Sequence, residues 1–352
     1  MIKKPCLFAL VLLLISIQAI SQTYVFQMRN ADSKLWGYAN VNGEIIIEPQ
    51  YKMCYSFSEE GIAPVYYSLQ NHYDFINLNN EVLEIGPDGL ILKDSFGYGA
   101  KGFSSGITPI RIRKKWGAMN IKGEIVCPLK YDLISVFVDG YASAHIKKQY
   151  YVLDKQGNEH KILTEDIKDI KRFNEGFAPY RNKKGNSGFV NTKGEVAIPA
   201  QYNGVGYFNS GFAWARTKKG LIGFINTNGD WVIQPQFSAV KNFDPSTGFA
   251  KACVNGLWGF LDKEGNMYYL DVADKFYNFS EGTVKAVRDG LVGFLDTKFN
   301  WTIEPRYENA RDFRNGFAAA KFDGGWGIID KAGNWVIEPI YGAIKDVIQV
   351  SK

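Results

Sequence analysis

The chain has 352 residues, a formal net charge of +5, and 46% hydrophobic and 15% aromatic residues. So mild a basic excess gives no case for a nucleic-acid partner, while the apolar content is ample for a continuous core. Of the four Cys, Cys6 lies in the first 21 residues, and the odd three that remain, Cys54, Cys127 and Cys253, read as buried thiols and not a disulfide framework.

Residues 1–21 read as a secretory signal. Lys3 and Lys4 form the basic start, Phe8 to Ile17 the apolar stretch, and Ala19-Ile20-Ser21 the small-residue cleavage site before Gln22. The apolar stretch is short for a membrane span. Cys6 precedes that stretch, whereas a lipoprotein signal needs Cys at the cleavage point. The expectation is an exported protein, periplasmic or extracellular, with no membrane span once the signal is removed. Its net charge then falls to +3, because two Lys and no acid leave with the signal.

From residue 22 to 352 one pattern repeats. Tyr24 to Met28 is a first extended segment. An apolar residue, a Gly, an aromatic or aliphatic residue, an Asp or Asn, a turn Gly, an apolar run and a Pro then recur at Gly37, Gly117, Gly188, Gly223, Gly259, Gly293 and Gly327. Weaker copies sit at Asp74 and Tyr151. The stretches around 72–106, 149–180 and 257–286 are degenerate, having lost the Gly, the Pro or both. Successive anchors lie 37, 43, 34, 37, 35, 36, 34 and 34 residues apart. A fixed period of this size means a repeat architecture, here nine units. The longest interval carries an insertion at residues 86–100, which is expected to be a surface loop.

Within one unit, Trp258 to Asp262 alternates across two apolar faces, as a strand covered on both sides would. Its Gly admits a close neighbour. Asp or Asn follows in all nine copies: Asn40, Asn77, Asn120, Asp154, Asn191, Asn226, Asp262, Asp296 and Asp330. This residue should bond the backbone two residues on, with Gly supplying a left-handed fourth position. Calcium ligation is the other reading, but a calcium site needs several oxygens to converge and five of the nine copies are the neutral Asn. A second strand runs to the Pro, as in Trp335 to Pro339. Beyond it large residues recur every third position, as in Tyr202, Val205 and Phe208, which predicts a short 3₁₀ turn. F-x-x-G-F-A, as in Phe313 to Ala318, opens the third strand.

These residues resemble the WG (KWG) repeat family of bacterial proteins. Trp36-Gly37, Trp116-Gly117, Trp258-Gly259 and Trp326-Gly327 carry the name-giving pair, and the F-x-x-G-x-A and G-x-x-V-I-x-P elements match as well. The resemblance covers roughly residues 24–347 and implies a β-rich repeat array with no catalytic residue set. The expected fold is therefore all-β: nine three-stranded antiparallel units in an open or spiral, solenoid-like array. The alternative is a closed β-propeller, in which Tyr24 to Met28 would complete a blade and close the ring. The open form is favoured because nine units exceed the usual four to eight blades and the period is short for a four-stranded blade.

Few residues carry candidate chemistry. Gly102-Phe103-Ser104-Ser105-Gly106 matches the serine-hydrolase elbow, yet it aligns with the turn of other repeats, as at Phe208 to Gly211. His72, His145 and His160 show no zinc-binding spacing. No cofactor is expected. Lys and Arg clusters at Arg111 to Lys115, Lys147-Lys148, Lys183-Lys184 and Lys218-Lys219 each precede a central strand. They form solvated hairpin loops or a basic ridge for an acidic glycan or partner. Trp231, Trp301 and Trp335 share one slot in three repeats and are the candidate interaction surface. They either pack between neighbours or form an aromatic ladder. The function expected is a non-enzymatic scaffold that binds a protein in the cell envelope or outside the cell; the alternative is binding of a cell-wall or environmental glycan.

Overall fold

The computed structural model describes residues 22–67, 72–84, 102–163 and 166–351. The signal and the 86–100 insertion lie outside the described residues. All regular elements among those described are strands, so no helix there is long and apolar enough to cross a membrane.

The repeat forms the hairpins its residues call for. Ala213–Arg216, Ile222–Ile225 and Trp231–Phe237 are successive antiparallel strands. At the turn before Trp231, Asn226 Oδ1 accepts the N–H groups of Asn228 and Asp230 at 3.0 and 2.9 Å. All eight other copies use the same side-chain oxygen in this way, from Asn40 (3.0 and 3.0 Å) to Asp330 (2.9 and 2.9 Å). The fourth turn residue is left-handed throughout, including Asn80 and Phe299, both at φ 64°, where the Gly is missing.

The segment after the Pro is not a helical turn. Gly204–Val205 is a two-residue strand, paired with Arg216 and Ala215 of the strand that follows it. Met53–Cys54, Leu133–Ile134, Ala239–Val240 and Asn309–Ala310 do the same in other repeats. Tyr202, Val205 and Phe208 are all buried, so the three-residue spacing reflects a kinked chain dipping three times into the core. Pairing with the next strand satisfies backbone groups that this buried path would otherwise orphan. Each unit is thus a four-stranded sheet, with its short first strand at one edge.

The array is closed, which corrects the open or spiral form expected. Nine sheets form a ring, a nine-bladed β-propeller. Blade 1 takes its second, third and fourth strands from the N-terminal part of the chain and its first from the C-terminus. Gln22–Arg29 pairs with Trp36–Asn40 on one side and with Ile348–Ser351 and Ala343–Ile344 on the other. An open array would have left unpaired strand edges at both ends. Blades 2 to 9 follow in chain order, beginning at Met53; blade 3 shows Ile107–Ile112, Lys115–Asn120 and Ile125–Tyr131 among the described residues.

The long fourth strand goes with the glycine and the Pro together. In intact copies the fourth strand has seven residues and a register shift that drives its backbone against the third strand. A Cβ at Gly117 would lie 2.6 Å from the Cys127 carbonyl oxygen. Where Asp74 and Tyr151 replace the Gly, the fourth strand shrinks to Val82–Leu83 and Glu159–Lys161, and where Gly259 stays but the Pro is lost it shrinks to Met267–Tyr268. These degenerate copies nevertheless complete four-stranded sheets.

Blades are joined by apolar seams and polar latches. Phe208 of blade 6 packs 4.7 Å from Phe189 of blade 5, in a cluster with Ile198, Tyr202 and Val205. Tyr202, ending blade 5, donates its hydroxyl to the Gly229 carbonyl of blade 6 at 2.7 Å, and Tyr307 reaches Gly333 at 3.2 Å in the same way. Tyr202→Phe should therefore cost about 1 kcal/mol with an unchanged fold, measurable by denaturant unfolding. At the turn after each first strand, Glu175 accepts the N–H groups of Ser210 and Gly211 one blade on, at 2.6 and 2.9 Å. Glu281 does the same for Asn315 and Gly316.

Cys54, Cys127 and Cys253 are all buried free thiols. Burial pushes Cys54 up to about 11, and burial reinforced by Asp154 and Glu159 pushes Cys127 up to about 12. Both then stay protonated at pH 8 and should resist iodoacetamide until the protein unfolds, as read by mass spectrometry. The unfolded thiols ionise near 9. This contribution to stability is therefore complete below pH 9 and lost as pH rises through about 11–12.

Candidate interaction face

An antiparallel meander sorts its connections between two faces. The hairpins joining second and third strands share the upper face with the blade-to-blade connections. The other two turns of each blade lie on the lower face. Lys115 Nζ to Asp132 Oδ1, at 2.6 Å, links a blade 3 hairpin to the connection into blade 4. The Asp132 carboxyl is held below its usual range first by Lys115 and then by the Lys147 N–H. Asp274 and Glu308 receive the Asp289 and Gly324 N–H groups in the same way at 2.9 and 2.8 Å.

The basic clusters all fall on this upper face, in four consecutive blades. The hairpins at 111–115, 147–148, 181–184 and 216–219 hold twelve Lys and Arg and no carboxylate. Lys115 pairs with Asp132, and Arg181 with Asp169 at 3.0 Å. Arg113, Lys114, Lys147, Lys148, Lys184, Lys218 and Lys219 are exposed and make no ion pair among the described residues. The same hairpins of blades 7 to 9 carry Asn255, then Arg288 with Asp289, then Lys321 with Asp323, so their charges cancel. A cleft of about 180 Å³ opens between blades 5 and 6, lined by Asp169, Lys171, Tyr180, Arg181, Asn203 and Trp214. A second, of about 450 Å³, opens between blades 1 and 2, lined by Gln27, Trp36, Lys52, Cys54 and Lys345.

Trp231, Trp301 and Trp335 each begin a fourth strand and are half-buried. Trp231 packs edge-on against Tyr202 of the preceding blade at 5.5 Å, and Trp335 against Tyr307 at 5.6 Å. Trp301 lies under the Arg288 guanidinium at 5.0 Å. Rings of Trp301 and Trp335 also cover the third-strand glycines Gly293 and Gly327. Their common slot therefore serves packing within and between blades, with each Trp left half-buried.

The remaining motifs resolve locally. Ser104 donates its hydroxyl to the Phe137 carbonyl of the next blade at 2.8 Å, the place taken by Asn174 toward Phe208 and Ser280 toward Phe313. The serine-hydrolase elbow needs a following helix, and here an antiparallel strand follows. His145 lies 5.6 Å from Tyr150 with the ring planes tilted, and His160 is exposed; the His72 side chain lies outside the described residues. Among the described residues no three His, Cys, Asp or Glu side chains converge as metal ligands. The cleft between blades 5 and 6 was not legible in the sequence, because its walls come from two different repeats, at residues 169–187 and 203–214.

Six stretches match the family described as WG containing repeat: 36–67, 116–144, 188–220, 222–258, 293–326 and 326–348. Together they cover more than half of the chain. The chain belongs to the WG-repeat family. The unmatched intervals overlap the degenerate copies, which the WG-repeat chain still builds as blades. No curated protein matches the sequence. Among solved structures, a eukaryotic initiation factor aligns with TM-score 0.64 at 11% identity, over 94% of this chain and 98% of that one. Apo AztD from Citrobacter koseri aligns with TM-score 0.40 at 9% identity, over the same shares of each chain. Hsv2 of Kluyveromyces lactis aligns with TM-score 0.37 at 10% identity, over 70% of this chain and 94% of that one. At such identities the initiation-factor likeness shows the propeller fold alone.

Proposed function

We propose that this WG-repeat propeller is an exported scaffold that binds a protein partner across its upper face and performs no turnover. The observation that carries the choice of a protein over a glycan is the packing of Trp231, Trp301 and Trp335. A sugar-stacking ladder needs open rings, and these are half-buried and already engaged with Tyr202, Arg288 and Tyr307. The ring supplies rigidity, so docking would order few residues and lose little affinity to ordering. Export rests on residues 1–21, and the partner would lie in the cell envelope or outside the cell. The test pairs cross-linking capture from envelope extract, using protein that starts at Gln22, with a glycan array. A saturable complex with one protein and a silent array are expected. Glycan binding that survives without a protein partner would reverse the choice.

A further inference from the structure

We propose that the upper-face hairpins of blades 3 to 6 form an arc that docks an acidic polypeptide segment, rich in Asp and Glu. This names the chemistry of the partner and rests on the scaffold reading above. Three observations carry it.

The first is charge segregation. Twelve cations and no carboxylate occupy four consecutive hairpins, while the three that follow are neutral in sum. On the lower face six of the nine turns between third and fourth strands mix signs, as in Lys122 with Glu124, Lys155 with Asp154, and Lys193 with Glu195, and the other three carry a single acid, Glu44, Glu81 or Asp230. A merely solvated surface mixes its signs, as the lower face does.

The second is conformation. A two-residue hairpin of this kind needs positive φ at both central residues and normally takes Asn-Gly or Asp-Gly. Blades 7 to 9 comply with Asn255-Gly256, Asp289-Gly290 and Asp323-Gly324. Blade 3 holds Arg113 at φ 46° and Lys114 at φ 71°. Two long cations are thus kept in a backbone conformation that disfavours them, beside blades that show the relaxed solution.

The third is the cleft between blades 5 and 6. Lys171, Arg181 and Asn203 present donors there beside Trp214, in a volume suited to one side chain. Arg181 can exchange its exposed Asp169 partner for an incoming carboxylate. No exposed aromatic ring stands on these four hairpins among the described residues to favour a sugar; the exposed Trp258, Tyr269 and Phe322 belong to blades 7 and 9 and their connections.

The experiment measures fluorescence anisotropy of a labelled glutamate-rich peptide of about 20 residues against the chain from Gln22. Binding should weaken steeply as salt is raised from about 50 to 300 mM. Lys147→Gln, Lys148→Gln, Lys218→Gln and Lys219→Gln combined should weaken it about tenfold to a hundredfold. Lys122→Gln, Lys155→Gln, Lys193→Gln and Lys298→Gln remove the same charge from the lower face and should change it less than about threefold. Equal losses in the two variants, or no binding at low salt, overturn the arc. Tighter binding of a sulfated oligosaccharide of equal charge, or of phosphatidylglycerol vesicles, overturns the acidic polypeptide. If the arc variant still captures the cross-linked partner at full strength, the inference falls and the scaffold reading stands. If no partner is captured by either form, the scaffold reading falls.

Discussion

Gly293→Val is expected to lower the unfolding free energy by about 3 kcal/mol and the melting temperature by roughly 4–5 °C. The third strand of blade 8 passes so close to the shifted fourth strand that a Cβ at Gly293 would stand 2.5 Å from the Ile303 carbonyl oxygen and 2.8 Å from the Trp301 ring. Backbone on one side and a wedged ring on the other leave the added atoms no direction in which to relax. Gly290→Ala provides the contrast. It has nothing within 4 Å of its Cβ, only a φ of 78°, and should cost about 1 kcal/mol. Calorimetry on the two variants separates close approach from turn conformation. Equal losses would show that the third-strand Gly is not a spacing residue.

Deleting residues 22–29 should have a larger effect. That strand buries Val25, Phe26 and Met28, worth roughly 1.5–3 kcal/mol each, and its pairings on both sides join the two ends of the chain in one sheet. Without it, Trp36–Asn40 and Ile348–Ser351 become open edges, and such edges recruit other chains. The expected outcome is a main transition lowered by more than about 10 °C together with concentration-dependent association, read by calorimetry and light scattering. A peptide covering residues 22–31, added in excess, should restore the transition. An unchanged melting temperature would mean that the ring does not depend on this strand.

The amino-acid sequence alone determined the repeat, its nine copies, the hairpin turns and the strands that flank them. Those features rest on local physics: an Asx oxygen two residues from the N–H it accepts, a left-handed fourth residue, a Pro that ends a strand. Asn80 and Phe299 illustrate this, since the turn keeps its left-handed geometry there even without glycine. The position of the basic clusters in hairpin loops was legible for the same reason. Their gathering on one face of four neighbouring blades was not, because no single repeat specifies which way its neighbour is turned.

Only the tertiary structure decided that the array closes. Tyr202, Val205 and Phe208 give the same three-residue rhythm whether they line a helical turn or a kinked strand, and only the edge offered by Ala215 and Arg216 selects the strand. Closure likewise depends on Gln22–Arg29 meeting Ile348–Ser351, a pairing between segments more than 300 residues apart. Its geometry is the sum of nine small blade-to-blade rotations. The slots of Trp231, Trp301 and Trp335 were visible in the pattern, but a periodic position does not say whether a ring faces solvent or the next blade. That is fixed by the seam, where Tyr202 and Tyr307 from the preceding blade take up the space beside Trp231 and Trp335.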